Sequence, residues 1–247
     1  MQGYTRRQLK QDRFASTATE AAHWTQEHRQ ALIWGISAVV AIVLIVLAVW
    51  TWMGRKTEQG NLALNSGFRT FNTAIRPAGA PAPTNPEEPP SFASMEERGK
   101  AAQKQFHDVA EKFGLVKPGK IARYMEGVSA MQAGDNATAE QVLKKAADGG
   151  DKNVEALARM ALGNLYMATN RTSDAVRVFK DLVDHPTETV SKAAAQLALA
   201  DAYQKTDPEQ AKAILQQVQK DNPQTAAAQQ AQEKLAGKKM PNPNLNF

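Results

Sequence analysis

The sequence predicts an all-α protein in which one apolar, membrane-spanning helix precedes a solenoid of helical hairpins. Three observations support this fold class. Residues 31–53 form an uncharged apolar run, later segments repeat apolar residues at spacings of three and four, and one residue pattern recurs every 36 positions. Runs of β-branched residues are almost absent outside the apolar run, so the sequence does not favour strands.

A basic arm, residues 1–30, begins the chain and carries five Lys or Arg residues against three acidic ones. The formal net charge of the whole chain is +5, but its basic residues form no stripe that alternates with aromatic side chains. Nucleic acid is therefore not a predicted partner. The arm is expected in the cytoplasm, either as a loosely ordered tail that sets topology or as a segment lying on the membrane surface.

The apolar run is the predicted transmembrane helix. Its 23 residues, Ala31 to Met53, would extend about 35 Å as a helix, enough to cross the roughly 30 Å hydrocarbon layer. Trp34 lies near one end and Trp50 and Trp52 near the other, where aromatic rings prefer the interface. The run is too long for the apolar part of a cleaved signal peptide, and bulky residues stand where a small-residue cleavage site would be needed.

The Lys and Arg residues on either side of this helix predict its orientation. Five precede it and three follow within about 20 residues, so the N-terminus is expected in the cytoplasm and the larger C-terminal part outside it. The chain has no cysteine, which excludes disulfides, thiolate nucleophiles and zinc–thiolate sites.

Residues 54–236 are predicted to form a helical repeat domain. Its first helix covers about Thr57 to Ile75, and the next, Ser94 to Phe113, has one apolar face. Between them, residues 77–91 hold six of the chain's twelve prolines, which indicates an extended spacer loop. Paired helices follow to about residue 236, and residues 237–247 are expected to be a disordered tail.

An internal repeat defines the hairpins. Each copy places apolar residues at matching positions of its second helix, and a polar turn separates its two helices. One hairpin cannot bury its apolar face alone, so the copies are expected to stack, with residues 224–236 as a cap. The aligned positions are Ala139, Leu143 and Ala146, then Ala175, Phe179 and Leu182, then Ala211, Leu215 and Val218, with Ala102, Phe106 and Val109 in an earlier unit whose first helix is Thr57–Ile75.

The second copy resembles the tetratricopeptide repeat. The resemblance rests on Leu162, Gly163 and Tyr166 in its first helix and on Ala175 and Phe179 in its second. We expect these residues to form the packed seam between the helices rather than a binding surface. The resemblance implies a curved array of hairpins that binds other proteins.

In proteins of that family, first-helix positions outside the seam line a concave groove. Here these positions would make an apolar, methionine-rich groove for an apolar peptide segment or a partner helix. The alternative is that another helix of the same chain, Thr57–Ile75 or the cap, fills it. The candidate partner-binding residues are Tyr124, Val128, Met131, Leu157, Met160, Asn164 and Met167, with Ile121 beside them and a more polar continuation at Ala194, Leu197, Asp201 and Gln204.

Catalytic, cofactor-binding and metal-binding residues are not predicted. The four histidines lack metal-ligand spacing with a carboxylate, and the sequence around Ser129 lacks the second glycine of a nucleophile elbow. The sequence also contains no Gly-rich phosphate loop. The protein is therefore expected not to be an enzyme.

A basic arm, one membrane helix and a tetratricopeptide array follow one another as in the YfgM-like ancillary subunits of the bacterial Sec translocon, which the chain resembles over about residues 10–236. The resemblance implies a single-pass protein of the bacterial inner membrane with a periplasmic array. Its implied partners are translocon subunits, a membrane-tethered periplasmic chaperone, or apolar client segments. Two other classes stay open: an assembly scaffold for another envelope complex, such as cytochrome maturation or cell division, and a non-catalytic anchor subunit of an enzyme complex.

Overall fold

The computed structural model describes residues 28–81 and 90–237. Within these ranges the chain forms nine α-helices and one pair of two-residue strands. The predicted all-α fold class, a single apolar N-terminal helix followed by helical repeats, is confirmed. The predicted arm up to residue 27 and the predicted tail from residue 238 lie outside the described residues.

Helix α1 spans Arg29–Phe71, and the boundary between two units of the chain falls within it, between Arg55 and Lys56. Its first part ends at Arg55 and its second part begins at Lys56. The first part contains an 18-residue stretch with a mean hydropathy of 3.0, none of it buried. Among the described helices, α1 is the one that is long and apolar enough to cross a membrane.

The second part of α1 ends at Phe71, before the end predicted for the Thr57–Ile75 helix. Arg76 precedes Pro77, and a residue before proline is driven out of the helical region by the proline ring. The chain leaves the helix ahead of this point, and Ala74–Ile75 form strand β1 instead. The predicted C-terminal turn of this helix was therefore wrong.

Strand β1 pairs in parallel with strand β2, Ser91–Phe92, and we call this pair the β-clamp. Arg76 reinforces it twice: its backbone N–H donates to the Phe92 carbonyl over 2.9 Å, and its guanidinium donates to the Ser91 carbonyl over 3.0 Å. The β-clamp thus ties together the two ends of the proline-rich loop, whose residues 82–89 lie outside the described part of the chain.

Eight helices follow α1 and are joined by short connections, which makes sequential neighbours antiparallel. Each helix contacts the next, α3 also contacts α5, and α7 also contacts α9. We call α3–α4, α5–α6 and α7–α8 hairpins one, two and three. The helices are α2 (Met95–Phe113), α3 (Lys117–Gln132), α4 (Asn136–Ala147), α5 (Lys152–Ala168), α6 (Thr172–Asp184), α7 (Lys192–Tyr203), α8 (Pro208–Asp221) and α9 (Ala226–Leu235).

Local sequence signals explain where these helices begin. Most start at a residue whose side-chain oxygen accepts a hydrogen bond from a backbone N–H two or three positions later. Helix α3 instead has Pro118 in its first turn, where a missing N–H does no harm. The capping residues are Ser94, Asp135, Asp151, Ser191, Asp207 and Thr225.

The turns inside hairpins one and two share a left-handed residue at matching positions. Gly134 has a φ of 76° and Asn170 a φ of 59°. Glycine adopts this conformation without a Cβ penalty, and asparagine tolerates it better than most residues. The 36-residue repeat therefore extends from the helices to the backbone of the turn.

The twelve aligned second-helix positions are all buried, none more than 6% exposed, which confirms the predicted seam. Close approach of the helices depends on glycine. A Cβ on Gly163 would lie 2.2 Å from Cε1 of Phe179, and a Cβ on Gly127 would lie 2.6 Å from Cγ of Leu143. In hairpins one and two the large side chain of the second helix fills the space that the glycine leaves.

The second part of α1 and helix α2 form the predicted earlier hairpin. The rings of Phe68 and Phe71 pack edge-on against Phe106, with centroids 5.5 and 6.4 Å apart. The Thr70 hydroxyl donates to the Gln105 side-chain oxygen over 3.0 Å. At the other end of the array, α9 packs on α7 and α8, as expected of a cap.

Candidate protein-binding groove

The first helices of hairpins one and two carry the predicted groove residues on adjoining faces. Positions three, four and seven residues apart share one side of a helix, and α3 and α5 are in contact. The faces correspond through the 36-residue step: Ile121, Tyr124, Val128 and Met131 on α3 match Leu157, Met160, Asn164 and Met167 on α5.

Six of the seven predicted groove residues are half-buried in the structure, and Val128 is not. Val128 is only 3% exposed and belongs to the core, whereas its counterpart Asn164 on α5 is half-buried. The Tyr124 phenol is neutral near pH 7 even at its ordinary pKa, and burial raises that pKa further. The α3 side of the groove therefore offers an uncharged surface.

The apolar groove residues pack on the main hydrophobic core. Five of them pack against its buried side chains. The core holds the buried part of each methionine side chain, so the exposed part lies at a defined position. The flexible thioether can still adjust to a ligand. These five residues are Tyr124, Met131, Leu157, Met160 and Met167.

At hairpin three, helix α9 lies on the predicted continuation of the groove. Leu197 is 7% exposed and shares a core cluster with residues of α9. The Asp201 carboxylate forms an ion pair with Lys234 of α9, with 2.6 Å between Oδ1 and Nζ. Ala194 and Gln204 are exposed. The cap thus contacts two of the four groove positions here, and hairpins one and two carry the apolar surface.

Glu126 is a buried carboxylate that the sequence analysis did not identify. It is 4% exposed and occupies the position at which hairpin two has Leu162. Its Oε1 lies 2.8 Å from Nδ1 of His107 on α2, and its Oε2 lies 3.7 Å from Nη1 of Arg123. Within the described residues, Oε2 has no hydrogen-bond partner. The alignment of the repeats contains a signal for this buried carboxylate, because it places Glu126 at the position where the next copy has the core residue Leu162.

A second unpredicted network joins α4 to the turn of hairpin two. Glu140 accepts a hydrogen bond from the Tyr166 hydroxyl over 3.2 Å and forms ion pairs with Lys144 at 2.7 Å and Arg171 at 2.8 Å. Hydrogen bonds lower the pKa of Glu140, with the largest effect from Lys144 and smaller effects from Arg171 and Tyr166. The Arg171 guanidinium also lies 4.3 Å from the centroid of the Tyr166 ring. This network links hairpin one to hairpin two.

Residues 28–81 and 90–237 contain no group of three or more His, Cys, Asp or Glu side chains that could hold a metal ion.

Comparison with known proteins identifies one kind of repeat. Residues 22–181 match the tetratricopeptide repeat-like domain, and residues 194–225 match the tetratricopeptide repeat. No curated protein and no solved structure gives a significant match to the chain. The longer match includes α1 and both helices that carry the groove residues, and the shorter one covers most of hairpin three.

Proposed function

The chain belongs to the tetratricopeptide repeat-like domain family, and from this premise we propose that it is a membrane-anchored protein whose array binds other proteins in the cell envelope. Repeats of this family mediate protein–protein interaction and are typically scaffolds without catalytic activity. One observation carries the proposal: half-buried methionine and aromatic side chains occupy repeat-equivalent positions on two adjoining helices.

The groove of α3 and α5 is proposed to accept an apolar peptide segment or a partner helix. The two segments of this chain that could compete for it make their observed contacts near the ends of the array. The second part of α1 packs on α2 and on Pro118 at the start of α3, and α9 packs on α7 and α8. Because these contacts lie near the two ends of the array, they support a groove on α3 and α5 that is accessible to a partner.

The proposed partner follows from the resemblance to the YfgM-like translocon subunits. On this reading the apolar part of α1 anchors the protein in a bacterial inner membrane, and the array stands in the periplasm. The excess of basic residues before the span supports this orientation. The ligand of the groove would then be a translocon subunit, a membrane-tethered chaperone, or an apolar segment of a client protein.

Two matched double variants test the groove. Met160 and Met167 are seven residues apart on α5 and half-buried, and Val176 and Val183 have the same spacing and the same degree of burial on α6. We expect M160E/M167E to abolish partner capture, because two carboxylates disrupt an apolar interface. V176E/V183E should retain it. Circular dichroism should show that both variants stay helical, and retained capture by M160E/M167E would refute the groove.

A photo-crosslinking residue in place of Met167 identifies the partner in vivo. Recovery of translocon subunits or a periplasmic chaperone by mass spectrometry would support the translocon role. Recovery of cell-division or haem-maturation proteins would refute that role and leave the groove intact. Protease added to spheroplasts tests the orientation, since an array shielded from it would contradict a periplasmic location.

A further inference from the structure

The connection between α2 and α3 combines an exposed apolar side chain with three lysines. We call residues 112–120, with the sequence KFGLVKPGK, the basic turn; it contains Lys112, Lys117 and Lys120 and no acidic residue. Leu115 at its centre is 78% exposed, more than any other large hydrophobic side chain that the structure describes. That comparison includes the apolar part of α1.

The fold holds Leu115 in this exposed position. Its neighbours Phe113 and Val116 are 4% and 5% exposed, and the Val116 N–H donates to the Phe113 carbonyl over 3.0 Å. Pro118 is fully buried, and the Gly119 N–H donates to the Val116 carbonyl over 3.0 Å. Apolar residues on both sides thus anchor the basic turn, while Leu115 is left in solvent.

Lys56 connects the basic turn to the start of the array. The ammonium group of Lys56 lies 5.6 Å from the centroid of the Phe113 ring, and that of Lys112 lies 5.4 Å from it. Lys56 follows Met53, the end of the apolar segment, by three residues, or about 4.5 Å of helix. The surface of a bilayer that holds the apolar segment therefore lies close to Lys56, on whichever side of the membrane the array stands.

We propose that the basic turn docks on the membrane surface, with Leu115 in the interface and its lysines on anionic phospholipid headgroups. Anionic lipid surfaces attract Lys side chains, and an inserted Leu adds apolar burial. Glu111, just before the turn, does not neutralise these lysines, because it is already paired with Arg123 at 2.9 Å. The proposal rests on the membrane insertion proposed for the apolar part of α1.

The absence of cysteine allows a direct test on the full chain. Leu115→Cys, labelled with the small apolar fluorophore NBD, is reconstituted at one chain per nanodisc in phosphatidylcholine with or without phosphatidylglycerol. We expect blue-shifted emission and quenching by nitroxide-labelled lipid in the anionic discs, and loss of both at high salt. Each Lys→Gln change in the basic turn should lower the ratio of docked to free turn about fivefold.

Three controls make the result specific. Ser173→Cys, exposed at the start of α6, should report water in every disc. Lys104→Gln, Lys152→Gln and Lys192→Gln remove the same charge elsewhere and should leave the Leu115 signal unchanged. A label at Ala41→Cys, in the apolar part of α1, should be quenched by lipid whether or not the basic turn docks.

The outcomes separate the two proposals. A quenched label at position 41 with a water-like label at position 115 overturns docking alone, as does equal quenching at position 115 in neutral and anionic discs. A signal at position 115 that requires two chains per disc assigns the surface to a second copy and also overturns docking. An unquenched label at position 41 overturns the membrane anchor itself.

Discussion

Hairpins one and two are built alike at their glycines and differently beside them. Gly127 faces Leu143 in hairpin one, and Gly163 faces Phe179 in hairpin two. The residue one position before the glycine is buried in both, but it is Glu126 in hairpin one and Leu162 in hairpin two.

The difference shows that a repeat fixes where a side chain is buried but not its chemistry. Glu126 is accommodated because a neighbouring helix supplies His107 and its own helix supplies Arg123. Hairpin two needs no such partners at Leu162 and instead uses a polar network at Tyr166, where hairpin one has Ala130. The polar contact at Glu126 joins α3 to α2, and the contact at Tyr166 joins α5 to Glu140 on α4.

The stabilities of hairpins one and two should differ most in their response to replacing the seam glycine by alanine. In Gly163→Ala the new Cβ meets a rigid, fully buried ring at 2.2 Å, so we expect a loss of about 3 kcal/mol in the free energy of unfolding. In Gly127→Ala the contact is with Leu143 at 2.6 Å, which can change rotamer, so a loss of about 1–2 kcal/mol is expected.

Urea unfolding in mild detergent, followed by circular dichroism, measures both losses. Phe179→Leu, which copies the large residue of hairpin one, should recover part of the loss when it is combined with Gly163→Ala. Equal losses for the two glycine variants would show that the ring is not the obstacle.

Replacing the buried carboxylate should have an intermediate effect of opposite sign. Glu126→Leu gives hairpin one the residue of hairpin two and removes a carboxylate with one unsatisfied oxygen, so we expect a gain of about 1–2 kcal/mol. His107→Ala in the native chain should cost about 1–3 kcal/mol, since Glu126 then loses its closest partner.

A double-variant cycle isolates this pair. In the Glu126→Leu background, His107→Ala should have little effect, because the carboxylate that the imidazole contacts is gone. A destabilised Glu126→Leu protein would mean that the pair holds α2 against α3 more strongly than apolar packing can.

The polar network that links hairpins one and two should give the smallest effect, and one that depends on pH. The folded-state pKa of Glu140 is lowered from an ordinary value of 4.5, so its stabilising contribution is present above that pH and disappears as pH falls through the folded-state pKa. Glu140→Gln should cost under about 1 kcal/mol at pH 7 and nothing at strongly acid pH. Glu188→Gln, in an exposed turn, is the matched control, and a deficit that persists in acid would contradict the electrostatic origin.

The repeat period made most of the array predictable. Residues such as Phe106, Leu143, Phe179 and Leu215 recur at matching positions, and a side chain that recurs on one face of stacked helices must be buried. The same period places Met131 and Met167 at matching positions, and both are half-buried in the structure; that they line a groove stays a prediction. The burial of Val128 did not follow, because it depends on the packing around α3 rather than on the spacing along it.

Contacts between distant parts of the chain were not predictable. His107 and Glu126 lie on different helices, and no sequence spacing reveals that pair. The sequence also contains no pattern that predicts the β-clamp, because two-residue strands have no periodicity and the paired residues lie 17 positions apart. Polar pairing and short strand pairing are set by the assembled fold, whereas the spacing of apolar residues along a helix indicates most of its buried face.

The β-clamp makes the proline-rich loop a natural place to divide the protein. Its strands and Arg76 fix the two ends of the loop independently of the chain between them, and each doubling of loop length costs only about 0.6 kcal/mol in closure entropy. A reporter domain inserted between Pro81 and Pro90 should leave the hairpin of α1 and α2 intact. A backbone cut there should yield two fragments, one with the apolar helix and one with the groove, that remain associated through the Phe68, Phe71 and Phe106 rings.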